Sequence, residues 1–122
     1  MTALCRKFSK FLMIELESLE EELEILVRAL DQRLKDHEIT DYVRNENYAI
    51  LRNEILGLRN FLESGCSIDS DEVTTADEAA ALAKEMVRHW LEERGYVQAL
   101  YPLIEHRVNK IAVYLNLDSA PV

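Results

Sequence analysis

Leu12, Leu16, Leu19, Leu23, Leu26 and Leu30 recur at intervals of 4, 3, 4, 3 and 4 residues. Such spacing keeps one row of side chains on one side of an α-helix, whereas a strand needs alternation with period two. Taken as a heptad seam, it places Leu16, Leu23 and Leu30 at a, and Leu12, Leu19 and Leu26 at d. The pattern predicts one helix from about residue 4 to residue 36, roughly 50 Å long at ~1.5 Å per residue.

The segment KDHEITDY interrupts the seam, and Thr40 is a fitting N-cap for a second helix ending at Glu63. Tyr48, Leu51, Ile55, Leu58 and Leu62 keep the three/four spacing in that helix, and Ser64-Gly65 supplies a stop. Residues 64–74, SGCSIDSDEVT, read as a small, polar, acidic linker. Thr75-Ala-Asp-Glu78 then fits a capping box, in which threonine and glutamate satisfy each other's backbone amides. A third helix follows to about Arg94, with Ala79, Ala83, Met86, Val87, Trp90 and Leu91 on one face and Gly95 at its end. The last apolar stripe runs through Val97, Leu100, Tyr101, Ile104, Val108, Ile111, Ala112 and Leu115. Pro102 marks either a kink or the first turn of a helix from about 102 to 116, because proline lacks an amide. With only three Gly and two Pro in 122 residues, the expectation is an all-α four-helix bundle. It comprises a long antiparallel hairpin over 4–63, the linker 64–74, two shorter helices over 75–116 and a frayed tail at 117–122. At this length 1–122 is expected to be a single domain.

Charge narrows the function. The chain holds 23 Asp and Glu against 14 Lys and Arg, a net −9, and the excess is spread over both halves. An acidic surface repels phosphate backbones and anionic lipid, which argues against nucleic-acid and membrane-surface roles. Arg6, Lys7 and Lys10 form too small a basic cluster to reverse that. Cys5 and Cys66 have no metal spacing and are too few for a disulfide framework, so they are expected to be reduced thiols of a cytoplasmic protein. The apolar run Phe8–Ile14 is too short and too interrupted for a signal peptide or a membrane span.

The leucine register also fixes the glutamates. Glu17 and Glu24 fall at b, Glu20 at e, Glu21 at f, and Glu15 and Glu22 at g, so none enters the seam. Glu24–Arg28 and Asp31–Lys35 are i,i+4 pairs, while Glu17–Glu21 and Glu20–Glu24 repel by a few tenths of a kcal/mol. Arg52 and Arg59 occupy e positions of the second helix, and folding about residues 37–40 predicts contact between Arg59 and Glu20. Helix 1 outruns helix 2 by roughly eight residues of helix at its N-terminal end. The overhang bears Phe8, Phe11, Leu12 and Ile14, which either meet the third and fourth helices or a second copy of the chain.

Glu20-Glu21-x-x-Glu24 followed by Glu38-x-x-Asp41 has the spacing EExxE…ExxD. It resembles that of the MazG-like, all-α nucleoside triphosphate pyrophosphohydrolases. The resemblance covers about 25 residues and implies Mg²⁺ held by Glu21, Glu24, Glu38 and Asp41 against a triphosphate. Hard carboxylate oxygens are the ligands that Mg²⁺ takes. Arg107, Asn109 and Lys110 of the last helix would be the groups available to phosphate.

Other chemistries find less support. A di-iron bundle needs Glu-x-x-His on two helices, whereas the chain offers Glu85-x-x-x-His89, His89-x-x-x-Glu93 and Glu105-His106. These histidines, and His37 at a helix end, read as surface or core-rim residues. No Gly-x-Ser-x-Gly, glycine-rich phosphate loop or calcium loop occurs. The expectation is therefore a non-enzymatic helical interaction or adaptor protein that associates with itself and needs no cofactor. Phe8, Phe11 and Ile14 are its first candidate surface, and Trp90, Tyr96 and Tyr101 its second. A Mg²⁺-dependent pyrophosphohydrolase is the alternative.

Overall fold

The computed structural model describes residues 1–64, 66–96 and 98–118, with Asp118 described by its backbone alone. Helices α1 (Ala3–Lys35), α2 (Asp41–Glu63), α3 (Ala76–Arg94) and α4 (Leu100–Asp118) form a four-helix bundle, with no strand among the described residues. Gly65, Val97 and residues 119–122, assigned above to a helix stop, the last apolar stripe and the tail, lie outside the described residues.

Local chemistry sets the helix ends. Thr2 and Thr40 accept hydrogen bonds from the amides of Cys5 and Val43 at 3.1 and 3.2 Å, capping α1 and α2. At α3 the capping box is complete, and donors from Thr74 and then Thr75 pull the Glu78 carboxyl below its usual range. α1 and α3 end alike. The Glu38 amide reaches the Arg33 carbonyl at 2.9 Å and the Tyr96 amide reaches Leu91 at 3.1 Å, each closing a six-residue loop. The left-handed residue between is His37 at φ 60° in one and Gly95 at φ 68° in the other. α4 begins at Leu100, so Pro102 lies in its first turn, where no intrahelical acceptor exists for an amide.

The side chains α1 buries are Cys5, Phe8, Leu12, Leu16, Leu19, Leu23, Val27 and Leu30. Their intervals, 3-4-4-3-4-4-3, repeat every eleven residues and not every seven. A seven-residue seam drifts about 20° per heptad around a straight helix, whereas eleven residues nearly complete three turns. Leu26, assigned to d above, accordingly rotates out to 51% exposure, and Val27 takes its place inside.

The N-terminal overhang of α1 is closed over by its own chain. Phe8 and Leu12 are fully buried, and the segment expected to be a polar linker folds back across them and buries Cys66, Ile68 and Val73. Ser9 stitches it down, donating to the Ile68 carbonyl at 3.4 Å and accepting from the Ile68 amide at 2.9 Å. Cys5 Sγ lies 3.7 Å from the Ser70 carbonyl oxygen. Three apolar side chains among polar neighbours decide the matter: residues 66–73 serve as a lid on the core.

α1 and α2 run in opposite directions, since Asp31 pairs with Arg44 (2.6 Å), Glu24 with Arg52 (3.1 Å) and Glu20 with Arg59. The Arg59–Glu20 contact is the one the register predicts. α4 lies along α1, with Arg107 on Glu15 (3.2 Å) and Glu22 and the Phe11 and Tyr114 rings edge to face at 5.3 Å. The α3–α4 corner sits on α2 at Gly57, where an added Cβ would come within 3.2 Å of the Tyr96 ring and 3.3 Å of Leu100. Glycine in mid-helix permits that approach.

Candidate interaction surface

α3 and α4 cover only part of the α1–α2 pair. Beyond Glu22 on α1 and Glu54 on α2, the two helices continue as a protruding arm, residues 24–35 and 41–53. Within it α1 buries Val27 and Leu30, and α2 buries no side chain. Polar pairing holds the arm together. Arg44 binds Asp31 by Nε (2.9 Å) and Nη2 (2.6 Å), lies 4.2 Å above the Tyr48 ring, and Arg52 bridges both Glu24 oxygens at 3.1 and 3.2 Å. Apolar side chains stand exposed on it: Leu26, Val43 and Ile50 on the side where α3 and α4 would have continued, with Ile25 and Tyr42 elsewhere.

Glu54 is buried where the arm leaves the body, 7% exposed, and burial raises its carboxyl pKa. The i,i+4 partners expected for Glu24 and Asp31 are not taken; both acids turn to α2 instead.

The predicted surface residues separate. Phe8 is closed in the core and leaves the candidate surface. Phe11, half-buried, and Ile14, 52% exposed, line a groove of about 360 Å³ between α1 and α4 with Glu15, Lys110, Ile111 and Tyr114. Its polar rim is already paired, Lys110 to Glu15 at 2.9 Å. Burial alone would push the Glu15 carboxyl up, but the hydrogen bonds from Lys110 and Arg107 bring it below the usual range. Trp90 and Tyr96 are internal packing more than surface: their rings stack at 5.1 Å, Phe61 meets Trp90 edge-on at 5.2 Å, and Asn60 donates to the Tyr96 hydroxyl. Tyr101 is half-buried, and burial followed by its bond to Glu105 raises its pKa.

The four carboxylates of the metal reading are not brought together. Glu24 is held by Arg52 and Arg59, Glu21 is exposed in a hollow it shares with Arg28 and Arg59, and Glu38 pairs with Arg33 at 3.3 Å. About 17 Å of helix separates Glu24 from the end of α1, beyond which Glu38 and Asp41 lie. Arg107 and Lys110 are engaged by Glu15 and Glu22, and Asn109 accepts from Lys84 at 3.0 Å. Among the described residues, no group of three His, Cys, Asp or Glu is placed to hold a metal ion, and no helix is long and apolar enough to cross a membrane. Cys5 and Cys66 are free and buried, and burial raises the Cys66 thiol pKa. No protein family, curated protein or solved structure matches the chain.

Two groups escape the sequence reading. Arg107 and Lys110 partner Glu15 and Glu22 across 85 to 95 residues, and no local spacing announces that. Ile50, seven residues from both Val43 and Gly57, does carry a signal, because a heptad row off the main seam marks a second face of the helix, buried at Gly57 and exposed at Val43 and Ile50.

Proposed function

We propose that this chain is a non-enzymatic helical interaction protein of the cytoplasm that associates with itself. The observation that carries the reading is the arm, which presents Leu26, Val43 and Ile50 to solvent on the faces that α3 and α4 cover elsewhere. Two antiparallel helices alone bury too little to use such side chains, so a partner surface is the natural complement. The groove at Phe11 and Ile14 supports the reading less, since its floor is filled by Ile111 and its rim charges are paired. The pairing of Glu24 with Arg52 and Arg59, and of Glu38 with Arg33, supports the non-enzymatic reading over the acidic pattern that resembles the pyrophosphohydrolases.

Light scattering over a concentration series tests the reading. The mass should rise from that of one chain toward twice that value, and Leu26→Glu with Ile50→Glu should hold it at one chain with helicity unchanged. One chain at every concentration would refute self-association. Mg²⁺-dependent release of pyrophosphate from nucleoside triphosphates, abolished by Glu21→Gln and by Glu24→Gln, would refute the non-enzymatic reading.

A further inference from the structure

We infer that the arm of a second copy is what covers the exposed arm, so that two antiparallel helix pairs close around a twofold axis into one intermolecular four-helix bundle. This rests on the self-association proposed above and assigns its face and register.

The register comes from the ion pairs. Glu24–Arg52 and Asp31–Arg44 put Leu26 level with Ile50, and Arg33 level with Val43. At about 100° per residue, Leu26 projects from α1 on the side of Glu15 and Glu22, which α4 covers through Arg107. Val43 and Ile50 precede Gly57 by two heptads and one, on the face that Tyr96 and Leu100 cover. In the body, that composite face is answered by an antiparallel helix pair, α3 and α4. The arm of another copy is itself such a pair, of matching length and the same apolar stripe.

Charge singles out the arm for contact between like chains. Residues 24–53 hold five Lys and Arg and six Asp and Glu, so nearly all of the −9 lies elsewhere. Two bodies meeting would crowd acid on acid, whereas two arms meet almost without net repulsion. Sterics then choose the orientation. α3 and α4 stand on the same side of the α1–α2 pair as the apolar face, so arms can meet only with their bodies at opposite ends. A twofold axis across the helices satisfies this and sets α1 against α1 and α2 against α2. Ile50 of each copy then comes level with Val43 of the other, and the axis passes beside Ala29 and Asn47. A face about 18 Å long and two helices wide contributes roughly 350 Å² per copy, below the usual range for stable complexes. The dimer should accordingly dissociate on dilution.

Cysteine cross-linking reads the register. Ala29→Cys should oxidise to a disulfide-linked dimer at least tenfold faster than Ile14→Cys in the groove; native Cys5 and Cys66 are buried and supply no background. If the protein doubles in mass but Ile14→Cys links and Ala29→Cys does not, the arm is overturned while self-association stands. If light scattering finds one chain at every concentration, both fall.

Discussion

The body and the arm are built from the same two helices, yet they are held by different forces. In the body, α1 contributes Phe8, Leu12 and Leu16 to an interior closed by α3, α4 and the 66–73 lid, all three fully buried. In the arm, the same helix buries Val27 and Leu30 at its margin, and Arg44, Arg52 and their acids supply much of the cohesion. Apolar burial yields about 25 cal/mol per Å², while exposed ion pairs contribute about 0–1 kcal/mol each. Continuity of a helix therefore does not imply continuity of stability. The arm is the cheaper part to open and the part with unused apolar surface.

The largest expected effect separates the two regions directly. Leu58→Ala, at a fully buried body position, should cost about 3 kcal/mol, and Leu30→Ala in the arm about half as much, because a thin two-helix layer collapses into the gap. Urea denaturation measures both; equal losses would erase the distinction.

Glu54, at the boundary, should act through pH. Its pKa is raised in the folded protein above the ordinary 4.5, so the folded state favours the protonated acid. Its contribution is best below that value and is lost as pH rises through the folded pKa. Glu54→Gln should thus stabilise the protein at neutral pH by on the order of 1 kcal/mol and leave stability near pH 4 almost unchanged. Thermal melts at the two pH values give the comparison, and destabilisation at neutral pH would show an unrecognised partner for the carboxylate.

The smallest effects use the matched helix ends. His37 and Gly95 share the left-handed conformation, which costs a residue with a Cβ roughly 1 kcal/mol. His37→Gly at the arm tip should gain a few tenths to about 1 kcal/mol, and Gly95→Ala in the body should lose about as much. Equal and opposite shifts in denaturation midpoint would place the two turns in one cooperative unit. If only Gly95→Ala registers, the arm tip opens before the body.

Much of the architecture was legible because it is written in local rules. Threonine caps, the Thr75–Glu78 box and the three/four spacing located four helices to within a few residues. The Arg59–Glu20 contact followed from register alone. The seam failed at Leu26 because a heptad drifts around a straight helix, and adjacent Leu26 and Val27 are equally apolar, so only packing could choose. The overhang does meet α4 through Phe11 and Tyr114, but the lid at 66–73 reads as a polar linker because Cys66, Ile68 and Val73 are dispersed among Ser, Asp and Glu and show no period. The glutamates at 20 to 24 lie off the seam as expected, but four of α1's glutamates act as rails: Glu20 and Glu24 toward α2, Glu15 and Glu22 toward α4. Which rail finds which arginine depends on how helices distant in sequence are laid together.

Amide hydrogen exchange at low and high protein concentration tests the central claim most directly. Amides of residues 27–33 and 44–51 should exchange fast when dilute and gain protection as concentration rises, while those around Leu16, Leu58 and Val108 stay equally protected throughout. Protection in the arm that equals the body's when dilute, or that never changes with concentration, would contradict the account.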